Sequence, residues 1–224
     1  MAGRRMNHLD DLIHDGRFVL PLRLRRSQNT GRLVILLHGV GGNEGNLAGL
    51  AARLPEDTAV ALVRAPITLG PGQYAWFRVS FTAEGPRIVE AEAEHSRQLL
   101  IELVTQLRDH LGLTASDVTI AGFSQGGIMS ASVALTSPET ARAFAVLSGR
   151  ILPELTPLLA SQDDLAATRG FIGHGRQDQK LPVSWADAAD TLLNSLRVNH
   201  ETHLYAMGHE LAPEMVADFL AWLR

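Results

Sequence analysis

Short apolar runs alternating with longer segments of helical spacing leave this chain few folds to choose from. Residues 33–38 begin Leu-Val-Ile-Leu-Leu, so both faces of a strand there are apolar, as in a central parallel strand covered on each side. Residues 59–64, 118–121, 144–148, 170–173 and 202–206 continue the series, and residues 18–25 read as an edge strand. Between them, residues 46–54, 90–111, 126–136, 184–196 and 213–223 carry apolar side chains near every 3.6 residues, the period of an amphipathic helix. The alternation predicts an α/β fold, a mostly parallel sheet of about seven strands with helices on both faces. At 224 residues and roughly 150 per domain, residues 1–224 are expected to form a single domain. No repeat of solenoid length interrupts the pattern.

Two stretches carry no clear period: residues 66–86, punctuated by glycine and proline, and residues 152–168, with Pro153 and Pro157 near its start. Loops of this size are commonly functional or mobile, and the first would be able to act as a lid. It contains Trp76 and Phe77, which either pin the loop to the body or line a substrate cleft.

Composition narrows the partners. The net charge of −4 provides no electrostatic footprint for nucleic acid or an anionic membrane, and the aliphatic runs are far shorter than the ~18 residues of a spanning helix. Cysteine is absent, which removes disulfides, thiolate metal sites and cysteine nucleophiles together. Arg4 and Arg5 are followed by polar residues 7–11 rather than an apolar core, so no secretory leader is read and a cytoplasmic location is expected.

Gly122-Phe123-Ser124-Gln125-Gly126 has the Gly-x-Ser-x-Gly pattern that places a serine on a sharp strand-to-helix turn. The motif alone is weak, and an ordinary glycine-rich βα turn would have the same letters. Here it follows an apolar strand and opens a helix, the context the chemistry requires. A serine hydroxyl needs a histidine base, and the base needs a carboxylate to fix its tautomer. Downstream, Asp178 leaves a strand in Gly173-His174-Gly175-Arg176-Gln177-Asp178, at the carboxyl end of the sheet where such sites assemble. Asp163 and Asp164 compete for the role but precede that strand. Among the late histidines, His200 and His203 fall at or within the last strand, on opposite faces, whereas His209 follows it in Met207-Gly208-His209-Glu210. Ser124, Asp178 and His209 are thus the expected triad.

An oxyanion needs donors, expected from the backbone N–H of Gln125 and from the loop Leu37-His38-Gly39-Val40-Gly41-Gly42-Asn43, at Val40. Those glycines could instead cradle a phosphate, but no Gly-x-Gly-x-x-Gly or Gly-Lys-Ser/Thr pattern accompanies them. No His-Glu-x-x-His stretch is present either, so neither a metal nor another cofactor is expected.

Taken together, His38-Gly39-Val40-Gly41-Gly42-Asn43, Ala65-Pro66 with Trp76-Phe77, Gly122-Phe123-Ser124-Gln125-Gly126-Gly127, His174-Gly175 with Asp178 and Pro182, and Gly208-His209-Glu210 resemble the phospholipase/carboxylesterase family of the α/β-hydrolase superfamily, which includes proteins similar to acyl-protein thioesterases. The resemblance covers most of the chain. It implies the same triad and oxyanion donors, and a shallow apolar acyl cleft without a large cap domain, lined by Leu69, Trp76 and Leu181. The chain departs from the family in carrying Arg176-Gln177 where an acidic residue is frequent, and Arg78 after Phe77. The expected activity is hydrolysis of short to medium acyl esters, thioesters or lysophospholipids by a serine carboxylesterase, as a monomer or homodimer acting on a small molecule. The alternative is a catalytically silent α/β-hydrolase that binds a ligand or partner, since fold does not fix function.

Overall fold

The computed structural model describes residues 9–27, 31–82 and 85–224; Arg4, Arg5 and the start of the polar stretch read against a leader lie outside them. In chain order the elements are β1 (Leu22–Arg25), β2 (Arg32–Leu37), α1 (Ala48–Ala51), β3 (Thr58–Val63), β4 (Ile67–Gly70), β5 (Gln73–Ala75), β6 (Val79–Thr82), β7 (Gly85–Ile88) and α2 (Glu90–Leu111). They continue with β8 (Val118–Phe123), α3 (Gln125–Thr136), β9 (Ala143–Leu147), α4 (Gln162–Leu165), β10 (Arg169–Gly175), α5 (Ser184–Ser195), β11 (Asn199–Tyr205) and α6 (Pro213–Trp222). Seven strands form one sheet in the order β1-β3-β2-β8-β9-β10-β11. Only β1 runs antiparallel, against β3; every other pairing is parallel.

The strand residues explain the layering. On β2, Leu33, Ile35 and Leu37 join Ala59, Ala61 and Val63 of β3 in a core shared with α2, α3 and α5. Val34 and Leu36 join Val60 and Leu62 on the opposite face, beneath α1 and α6. A period of two in side-chain direction, with both sets apolar, requires helices above and below. The covering helices supply the complementary stripes. Leu100, Leu103, Val104 and Leu107 of α2 are fully buried, and the helix stops at Gly112, whose φ of +68° is the left-handed cap conformation suited to glycine. Among the described residues no helix is long and apolar enough to cross a membrane.

Three expectations are corrected. The helix anticipated over residues 46–54 contracts to the four residues of α1. Arg53 N and Leu54 N bond i−3 carbonyls, and the buried Arg25 guanidinium takes the carbonyls of Ala51, Leu54, Pro55 and Thr58, so the chain turns into β3 without a further helical turn. Residues 66–86 are not an irregular loop: β4 with β5 and β6 with β7 form two antiparallel hairpins above the main sheet. Residues 83 and 84 of that stretch lie outside the described set. Residues 152–168 contain a 3-10 turn, Pro153–Leu158, with proline in its first turn where no N–H is missed. They also contain α4, capped by Ser161, whose hydroxyl accepts the Asp164 N–H.

Ile35, with no exposed surface at the centre of the larger core, tests this layering. Ile35→Ala is expected to lower unfolding stability by about 2–5 kcal/mol, read as a reduced urea midpoint with an unchanged slope.

Candidate active site

Four connections leave the carboxyl ends of β2, β8, β10 and β11 and meet above the sheet. The sharpest is at Ser124, between β8 and α3, with φ 55° and ψ −118°. This turn depends on close backbone packing. A Cβ on Gly122 would overlap the backbone of Gly126, and one on Gly126 would overlap the Leu37 carbonyl, so only glycine lets α3 start directly against β2. Ser124 N donates to Leu147 O at 2.8 Å, which ties the turn to β9.

Asp178 and His209 are brought together by two stitched loops. Arg176 N bonds Tyr205 O at 2.8 Å and Gln177 N bonds Met207 O at 3.0 Å, while Ser148 Oγ donates to the carbonyl of Glu210 at 3.2 Å. As a result His209 Nδ1 lies 2.7 Å from Asp178 Oδ2 and His209 Nε2 lies 2.9 Å from Ser124 Oγ. The other carboxylate oxygen accepts the backbone N–H groups of Lys180 at 2.8 Å and Leu181 at 2.9 Å. Burial alone would raise the Asp178 pKa; the Leu181 N–H, the His209 ring and the Lys180 N–H outweigh it and hold the carboxyl below its ordinary value. An ionised carboxylate only accepts, so His209 carries its proton on Nδ1 and Nε2 is free to accept from the serine. Phe123 packs against the His209 ring, centroids 5.1 Å apart.

The competing residues are engaged elsewhere. His200 Nε2 lies 3.1 Å from Asp190, and His203, on the opposite face of β11, stacks on Phe171. Asp164 takes the Ser161 hydroxyl at 2.7 Å, and both Asp163 and Asp164 lie in the exposed α4 region.

On the other side of Ser124, the loop after β2 is held by His38. Burial lowers the pKa of this imidazole; its Nε2 accepts the Ala65 N–H at 3.1 Å, so Nδ1 bears the hydrogen and donates to Gly39 O at 2.7 Å. Tyr74 of β5 completes the support, taking the Gly41 N–H and giving its own to Gly42 O, each at 2.8 Å. Beneath them the buried Glu44 accepts two hydrogen bonds from Arg64, at 2.7 and 2.9 Å. Val40 and Gln125 both border the cavity at Ser124. Gln125 is the first residue of α3, a position whose N–H has no intrahelical acceptor.

That cavity, of about 150 Å³, is lined by Phe77, Val79, Ile88, Ile128, Leu181 and Arg150 around the serine. Leu181 lines this cavity, whereas Trp76 and Leu69, expected beside it, do not. Trp76 is fully buried, with its indole N–H on His38 O at 2.9 Å, its backbone N–H on Gln125 Oε1 at 2.7 Å and its carbonyl taking the Ser96 hydroxyl. Adjacent residues of an extended chain point opposite ways, so with Trp76 below, Phe77 is the one facing the cavity. Leu69 sits at the irregular step between Thr68 and Gly70; it is 44% exposed and is not among the cavity's lining residues. The sequence reading missed Val79, Ile88, Ile128 and Arg150. The apolar contributions of β6 and β7 become legible only once these segments are known to be hairpins.

The sheet order, the elbow at Ser124 and the crossing helices define an α/β hydrolase. The match to the phospholipase/carboxylesterase family runs over residues 24–224, and the chain belongs to that family. It is 26% identical over 219 residues to acyl-protein thioesterase 1 of Eremothecium gossypii, covering 91% of this chain and 92% of that protein. It is 29% identical over 170 residues to the esterase YpfH of Escherichia coli, covering 73% and 69%. The solved structure of esterase PE8 superposes with a TM-score of 0.79 at 27% identity, over 90% of this chain and 96% of that one.

Trp76 therefore supports the site from beneath. Trp76→Ala is expected to lower stability by about 3–5 kcal/mol while leaving relative rates on acetyl, butyryl and octanoyl esters unchanged. A flattened chain-length profile in the folded variant would return the residue to the cleft.

Proposed function

We propose that the chain hydrolyses short to medium carboxylic esters or thioesters through an acyl-enzyme on Ser124. The observation that carries this reading is the unbroken hydrogen-bond series from Ser124 Oγ through His209 to Asp178, at 2.9 and 2.7 Å, beside an apolar cavity. Ser124 Oγ attacks the carbonyl carbon as its proton passes to His209 Nε2. The N–H groups of Val40 and Gln125 receive the developing oxyanion. Collapse expels the alcohol or thiol, which takes the proton from His209. Water then attacks the acyl-serine, giving a proton to the same nitrogen, and collapse releases the acid as that proton returns to Ser124 Oγ. Asp178 remains ionised throughout and stabilises the imidazolium.

Ser124→Ala is expected to abolish hydrolysis, by about 10⁶ in turnover, and to abolish labelling by a fluorophosphonate, with the thermal midpoint little changed. A wild-type protein that neither labels nor turns over esters would be a silent binder instead. Asp178→Asn should lose about 10⁴, and Asp163→Asn or Asp164→Asn almost nothing; a large loss at either of those two would reassign the acid.

The pH dependence follows from the same groups. A carboxyl depressed on folding contributes stability above its unfolded pKa and loses it as pH falls through the folded value, so Asp178 stays charged across the interval of about pH 5–8 in which imidazoles titrate. Asp178 is therefore expected to contribute no proton to the acid limb of kcat/KM. A limb as steep as two protons would mean that the carboxylate titrates there.

A further inference from the structure

Three arginines among the described residues are more than nine-tenths buried: Arg25, Arg97 and Arg150. Burying a guanidinium is costly unless its donors find acceptors, and two of the three spend most of theirs on the protein. Arg25 donates from its terminal nitrogens to the carbonyls of Ala51, Leu54, Pro55 and Thr58 and leaves only Nε without a partner. Arg97 pairs with Glu94 through two bonds and reaches Thr136 Oγ1 at 2.8 Å. Arg150, 5% exposed, makes no hydrogen bond and no ion pair among the described residues. Its guanidinium carbon lies over the Trp185 ring, 4.5 Å from the centroid, a contact that uses none of its N–H groups.

Its position gives those donors a direction. Arg150 lines the cavity that contains Ser124, Val40, Gln125 and His209. Lys180 borders the same cavity from the loop that holds Asp178, and no carboxylate is among the lining residues. The nearby acids are accounted for. Glu154 attracts Arg150 only from beyond ion-pair distance and lines the neighbouring cavity. Asp178 is already bonded by His209 and by the Lys180 and Leu181 N–H groups. The cavity at Ser124 is thus apolar and cationic, with an unpaired planar fork among its lining residues. A carboxylate is the group whose geometry matches such a fork through two parallel bonds.

We propose that Arg150, assisted by Lys180 at the rim, is a specificity-determining residue that selects ester substrates bearing a carboxylate. The inference rests on hydrolysis at Ser124 but is separable from it, because it concerns the ratio between charged and neutral substrates rather than turnover itself.

The test measures kcat/KM for two matched pairs. With the charge on the acyl side, para-nitrophenyl hydrogen glutarate is compared with its neutral methyl ester. With the charge on the alcohol side, para-butyryloxybenzoate is compared with its methyl ester. In wild type the anionic member is expected to be preferred in one pair, which tells which side of the scissile bond faces Arg150, and added salt should shrink that preference. Arg150→Gln should cut the anionic-to-neutral ratio by at least about tenfold, and Arg150→Lys, which keeps the charge without the fork, should recover part of it. Unchanged ratios in both pairs for a folded Arg150→Gln overturn the proposal. Should that variant fail to fold, the wild type decides: glutarate should slow fluorophosphonate labelling of Ser124 while the neutral glutaramide does not, and equal protection by both also overturns it. Failure of the hydrolytic reading would look different, as a wild-type protein that does not label at all.

Discussion

The upper surface of the molecule depends on one contact between backbones, where the first turn of α3 meets the end of β2. Gly126 lies against the Leu37 carbonyl and Gly122 against Gly126, and a methyl group at either position would separate the elements. Because they meet, Ser124 projects at the end of β8 and Gln125, the first residue of α3, borders the same cavity as Val40 of the loop after β2. Because β2, β8, β10 and β11 are all parallel, their carboxyl ends lie on one edge. The loops that carry Val40, Ser124, Asp178 and His209 therefore converge without any long connection.

Much of this was legible in the letters. The apolar runs of β2 and β3 give both faces of the sheet, and the Gly-x-Ser-x-Gly motif directly follows one of them. The ends of α2 coincide with the change of period at Glu90 and with Gly112. The parts that were not legible depend on long-range partners. Nothing local to residues 46–54 announces that Arg25 will cap their carbonyls and cut the helix to one turn. The hairpins of residues 66–86 escape notice because glycines and prolines break their alternation and their pairings lie outside the main sheet. Trp76 and Phe77 are equivalent as sequence, and only the hydrogen bonds to His38 and Gln125 decide which ring goes below.

Around the proposed triad, the supporting polar groups are fixed by burial and saturation rather than by charge alone. His38 is held neutral with its proton on Nδ1, Asp178 is held ionised by three N–H donors, and Gln125 spends its side chain on Trp76 and on the carbonyl of Phe77. Arg150 stands apart because it lines the cavity with its donors bonded to no group among the described residues. Such a fork favours an anionic partner.

The order of the strands also divides the site into two mechanical parts. Ser124 belongs to the middle of the sheet, between β2 and β9, while Asp178 and His209 hang from β10 and β11, and β11 is an edge strand paired on one side only. Its residues are mostly half-exposed, and local opening free energies fall towards such margins. The loops of Asp178 and His209 are stitched to each other through Gln177 and Met207, so an excursion of that margin carries both side chains away from Ser124 as a pair. The proposed chemistry is therefore coupled to a border of the fold, and inactivation on warming can precede loss of the core.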